Sequence, residues 1–79
     1  MNKLEYDRLL KLKNLINSNK ATKDHKKEYM RILVKNRNIT NDQYQKFLAN
    51  ENSDAIINAA LTIGGVMLAF YLISELTKD

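Results

Sequence analysis

Lys23, Lys27, Arg31 and Lys35 recur every four residues. On a helix that spacing makes a drifting basic stripe, opposite Tyr29, Met30 and Leu33. Such a row of cations attracts phosphate oxygens, whether of nucleic acid or of anionic lipid headgroups. Lys20, Lys26 and Arg37 lie close by. Asp24 and Glu28 interleave with the stripe, so the plainer account is a solvated helix face with ion pairs inside the helix. The sequence carries no glycine-rich loop, RNA-binding motif or recognisable helix-turn-helix, which favours anionic lipid over nucleic acid.

A second set could form a helix–helix contact. Asn58, Thr62, Gly65 and Ala69 follow one another at four, three and four residues and share one helix side. Small residues let two backbones approach in a membrane, and Asn and Thr can hydrogen-bond across the contact for about 0.6–2 kcal/mol each. Two plainer accounts stand beside this: a bare anchor that tolerates Gly64-Gly65, and a central helix buried in a soluble oligomeric bundle.

Catalytic chemistry finds little support. His25 is the single histidine and the chain has no cysteine, so no thiolate, disulfide or His/Cys metal set can form. Asp7, Asp24, Glu28, Asp42, Glu51 and Asp54 show no metal-loop spacing. Tyr6, Tyr29, Tyr44 and Phe47 fit a core or an interface better than a base-stacking platform. The expectation is a non-enzyme that needs no cofactor and no metal.

The element that must position these residues is the uncharged run Ala55–Ile73. As a helix, its 19 residues would extend about 28 Å, close to the roughly 30 Å hydrocarbon core of a bilayer. Residues 1–54 hold twelve Lys/Arg against seven Asp/Glu, a net +5, and residues 55–79 hold one Lys against two acids, a net −1. Positive charge before an apolar span keeps that side cytoplasmic, so the expected topology is N-terminus inside with Ser74–Asp79 as a short outer tail. No apolar core near the N-terminus suggests a signal peptide. The Asn, Lys and Ile bias is that of AT-rich genomes and points to a low-GC bacterium or a mobile element.

The remaining pattern is helical throughout. Leu9, Leu12 and Ile16 mark a first helix over 3–17. Thr22 can cap a second over 23–35. Thr40 and Gln43 match a capping box ahead of a third short helix with Tyr44, Phe47 and Leu48 on one side. Asn50–Asp54 reads as a linker in which Ser53 or Asp54 caps the last helix. The fold class expected is all-α, three short helices followed by one long hydrophobic C-terminal helix. The expected division is a basic helical domain at 1–54, a hydrophobic helix at 55–76 and a tail at 77–79.

Residues 15–24 and 33–42 echo one another at a spacing of 18, with Thr22 on Thr40, Asp24 on Asp42, and Tyr29-Met30 on Phe47-Leu48. One helix–turn–cap module used twice would produce this, and so would chance in a Lys/Asn-rich chain. Within 31–50, Ile32-Leu33 followed by Ile39-Thr-Asn-Asp-Gln-Tyr-Gln-Lys-Phe-Leu48 resembles the short helical-hairpin modules called SHOCT domains. Asn38 stands where that family usually has Gly, Gln43 replaces an acid, and a hydrophobic segment follows where the module normally ends a chain. The resemblance implies a non-catalytic docking or oligomerisation role at the inner membrane face.

Together these features predict a single-pass membrane-anchored adaptor or regulator, of holin-accessory type, that tethers or oligomerises through its helices. Its expected partners are the bilayer, a second copy and a protein. The alternative is a soluble all-α homo-oligomer, a phage or mobile-element part, that buries 55–76 as a central helix and binds protein or nucleic acid. A pore-forming holin or toxin using the Asn58–Ala69 face is a third class.

Overall fold

The computed structural model describes residues 1–77, which form four α-helices and no strand. Helix α1 spans Lys3–Asn17, α2 Lys23–Lys35, α3 Asn41–Leu48 and α4 Ser53–Leu76. The all-α class is as the sequence predicts. The lengths are graded, at 15, 13, 8 and 24 residues, so only α3 is short in the strict sense. Of the tail expected at 77–79, only Thr77 lies within the described residues.

One local device closes the first three helices. Lys20 N–H donates to Leu15 O and Asn19 N–H to Ile16 O. Eighteen residues on, Asn38 donates to Leu33 O and Arg37 to Val34 O; after α3, Glu51 donates to Lys46 O and Asn50 to Phe47 O. This is the Schellman pattern, and it puts one residue of each turn in the left-handed region. Asn19, Arg37 and Asn50 occupy those places, with φ of 59°, 60° and 65°. Two helix starts repeat as well. Thr22 Oγ1 accepts from His25 N–H while His25 Nδ1 accepts from Thr22 N–H, and Thr40 and Gln43 form the same reciprocal pair. The echo in the sequence is therefore a structural repeat of helix end, left-handed residue and Thr cap. The copies part at the second apolar position: Met30 is fully buried, whereas Leu48 is 37% exposed.

The start of α4 departs from expectation. Neither Ser53 nor Asp54 caps it. Asn52 holds the N-cap position with φ 50° and no side-chain cap hydrogen bond. A side-chain cap needs an extended residue at that position. Here the turn places Asn50 and Asn52 both in the left-handed region, which carries the chain straight into the helix.

The core explains why α4 belongs with the other helices. Leu9, Leu12, Tyr29, Met30 and Leu33 are its fully buried large side chains. Each aliphatic one contributes about 1.5–3 kcal/mol of transfer free energy. Ile57, Ala60, Met67 and Leu68 of α4 complete the cluster. Helices α2 and α4 each touch all three others, while α1 and α3 flank them and do not meet. Without α4, the apolar faces of α1 and α3 could not close over α2. Helix α1 runs antiparallel to α2, as Arg8–Glu28 and Glu5–Lys35 pairing requires.

Candidate functional site

Helix α4 is uncharged from Ala55 to Ile73, and its two faces have different neighbours. The inner face carries Ile57, Ala60, Gly64, Met67 and Leu68, at the three-and-four spacing of one helix side, all buried against α1–α3. Tyr29 reaches it from α2. Its hydroxyl donates to Ala60 O at 2.8 Å, and the ring lies where a Gly64 side chain would be. A methyl group at Gly64 would overlap Tyr29 Oη, whereas one at Gly65 would meet only Lys13 Cε at 3.4 Å. Burial raises the Tyr29 phenol above its ordinary value, because the phenolate would lose its water.

The outer face is uncovered. Thr62 and Ala69 are exposed, Asn58 is exposed at the rim of a hollow shared with Ile16, Asn17 and Ala21, and Gly65 is half-buried beside Lys13, so the small-residue stripe runs along the outer side of α4 with one edge bordering α1. The bulky side chains follow later in the helix: Val66, Phe70, Leu72, Ile73 and Leu76 are all exposed. Only 28% of the most apolar 18-residue stretch of α4 is buried, at a mean hydropathy of 2.1. The helix is long and apolar enough to cross a membrane, as the core helix of a soluble protein can also be.

The four residues of the basic stripe have different neighbours. Lys23 and Lys27 line a hollow at the start of α4, together with Lys26, Ser53 and Asp54. Lys35 stands at the far end of α2, about 18 Å away at 1.5 Å per residue. There it is held by Glu5 at 2.8 Å. Arg31 is exposed between these ends. Glu28 pairs across to α1 and not within α2: Arg8 Nε and Nη2 donate to its two oxygens at 2.6 and 2.7 Å. That hydrogen-bonded fork holds Glu28 below the usual carboxylate range, against the opposing effect of burial, and raises Arg8. The hydrogen bond from Lys35 lowers Glu5 likewise.

The chemistry-bearing side chains thus have structural partners. His25 closes a capping box, Tyr29 binds a helix carbonyl, and Glu28 and Glu5 join α1 to α2. Among the described residues, no group of three or more His, Asp or Glu could hold a metal ion. Sequence reasoning missed Gly64 as a contact point, although it follows Ile57 by seven residues and Ala60 by four and so falls on their helix side. The pairing of Arg8 with Glu28 and the stacking of Tyr6 on Tyr71, at 4.7 Å between ring centroids, have no sequence signal. No protein-family model matches the chain, and no characterised protein or solved structure is significantly similar to it.

Proposed function

We propose that this protein is a non-catalytic, membrane-attached adaptor or regulator whose α4 holds the basic helices α1–α3 at the cytoplasmic leaflet. The observation that carries the reading is the uncovered half of α4. A helix with no charge from Ala55 to Ile73 leaves Val66, Phe70, Leu72 and Ile73 in contact with solvent. Water is a poor medium for that surface, and a bilayer is a good one. The net +5 of residues 1–54 adds attraction to an anionic leaflet, worth about 1 kcal/mol per cation close to it. Roles already filled by His25, Tyr29 and Glu28 support the non-catalytic part, and the SHOCT-like residues 31–50 support a docking role. Copies associate in this reading along Asn58, Thr62, Gly65 and Ala69, so Ala69→Leu weakens cross-linked dimers.

Membrane flotation of cell lysate tests the attachment. Wild-type protein is expected to float with the membranes, and Phe70→Arg to shift to the soluble fraction. Phe70 is suited to this because it is exposed; an arginine at buried Leu68 would unfold the domain. A wild-type protein wholly in the supernatant as a compact particle sinks the proposal. One observation favours a second reading in that event: the fit of Tyr29 against Ala60 and Gly64 makes α4 a helix of the core. A soluble homo-oligomer would then cover the outer face with further copies.

A further inference from the structure

We propose that the protein meets the bilayer through one apolar end, built from the last turns of α4 and the first turn of α1, which enters the membrane obliquely without crossing it. This rests on the membrane reading above.

The end is set by exposure and by one aromatic contact. Phe70, Ile73 and Leu76 are 67%, 55% and 81% exposed, and Leu4 of α1 is 80% exposed. Tyr6 stacks on Tyr71, which brings the start of α1 to the end of α4. Met1 accordingly lines a hollow with Val66, Phe70 and Tyr71. Leu72, Leu76, Ile73, Val66 and Phe70 fan over about 160° of the helix, at 100° per residue. Together they leave on the order of 500 Å² of apolar surface uncovered, at the upper end for a soluble monomer. Fluid acyl chains can cover a surface that fans this widely around one helix, and the charge beside it suits their headgroups.

Charge complements the apolar end. Arg31, Lys35 and Arg37 stand on the last turns of α2 and in the turn after it. Asn36 and Asn38, on either side of Arg37, line the same hollow as Phe70. Arg31 and Arg37 thus stand behind the apolar end, where anionic headgroups would lie, while Lys35 is held by Glu5 and Glu75 is the one acid on the last turns of α4. The backbone singles out Arg37. The other three positive-φ residues are Asn19, Asn50 and Asn52. Asn tolerates that region, and Arg carries a penalty there of about 1–2 kcal/mol. Arg37 is thus an exposed cation at a strained position, an outlier that points to use.

The rest of α4 explains why it stops short of crossing. From Ile57 to Leu68 its inner face is filled by α1–α3, with Tyr29 bonded to Ala60 O. A crossing would strip Leu9, Leu12, Met30 and Leu33, and α1 and α3 do not meet to cover them. Along the outer face, the first half presents Ala55, Asn58, Ala59 and Thr62, and the second half presents the bulky apolar residues. The first half suits water and headgroups, and the second suits acyl chains.

The test adds the full chain to preformed phosphatidylcholine–phosphatidylglycerol vesicles. Because the chain has no cysteine, Ala59→Cys and Ile73→Cys each carry a single thiol. On bound protein, Ile73→Cys should react about tenfold or more slowly with a water-soluble maleimide, while Ala59→Cys keeps its rate. Arg31→Gln with Arg37→Gln should lower the bound fraction, and Lys23→Gln with Lys27→Gln should leave it unchanged. Protection of both thiols means that α4 crosses, which overturns this inference and leaves the membrane reading standing. Equal losses from the two charge pairs overturn the placement of the contact at this end. A chain that ignores vesicles and sediments as a soluble particle removes both.

Discussion

Gly64 and Gly65 are neighbours of the same type in the same helix, and they stand in opposite environments. Gly64 faces α2, where the Tyr29 ring occupies the volume a side chain would need; Gly65 faces outward beside the flexible end of Lys13. The same division runs the length of α4. Ile57, Ala60, Met67 and Leu68 are held by α1–α3, and Val66, Phe70 and Ile73 are not. All of them are comparably apolar, so hydropathy does not separate the faces. What separates them is which neighbours the other three helices bring. A helix apolar all round ordinarily needs cover on every side. Here the domain covers one side and leaves the other uncovered.

Four measurements can break or sharpen that contrast. The largest effect is expected from large-to-small changes on the two faces. Leu68→Ala should lose about 2–5 kcal/mol in urea unfolding. Ile73→Ala should stay within about 0.5 kcal/mol, as an exposed change does. Similar losses at both positions would mean that the outer face is also packed in the folded protein.

The glycine pair comes next. Gly64→Ala gains up to about 1 kcal/mol of helix propensity but overpacks the Tyr29 contact, at a cost of about 1–3 kcal/mol. Gly65→Ala gains the same propensity with only Lys13 to move. Thermal midpoints are therefore expected to fall for the first and rise for the second. A rise in both would show that Tyr29 is not fixed against Gly64.

Tyr29→Phe should cost about 0.5–1.5 kcal/mol for the hydrogen bond to Ala60 O. It should also soften Gly64→Ala, since the phenolic oxygen is the atom that change displaces. Additive losses in the double variant would exclude the contact. The phenol has a pH signature too. Burial raises its folded-state value above the ordinary 10.0, so its contribution is complete below pH 10.0. It is lost as the pH climbs above that value, because the unfolded chain releases the proton first. Wild type should weaken in this alkaline range more than Tyr29→Phe does.

The smallest effect lies away from α4. Glu28 and Glu5 are held below the ordinary 4.5 by Arg8 and Lys35. The unfolded chain therefore takes up these protons first as the solution is acidified. The stability the two carboxylates add is complete above pH 4.5 and is lost as the pH falls below it. Glu28→Gln should flatten that part of an acid-unfolding profile slightly, since half-exposed pairs contribute little. An unchanged profile would assign the acid sensitivity to other groups.

The sequence by itself determined the helices, because the information for them is local. The apolar spacing of Leu9, Leu12 and Ile16 marks α1. Thr22 and Thr40 begin α2 and α3 through hydrogen bonds that span only three residues. The uncharged run from Ala55 fixes α4 as a long apolar helix for the same reason. Its start was misread because Asn52 takes a left-handed conformation that leaves no side-chain cap. The candidate site was legible in part. Asn58, Thr62 and Ala69 could be placed on one side of a helix, but that this side is the exposed one could not be read. Lys23 and Lys35 could be placed in one stripe, but their partners could not be read, because Glu5 comes to Lys35 from thirty residues away. Only the tertiary structure decided which half of α4 is covered. That choice depends on α1, α2 and α3 arriving together, with Tyr29 reaching the one glycine that leaves it room.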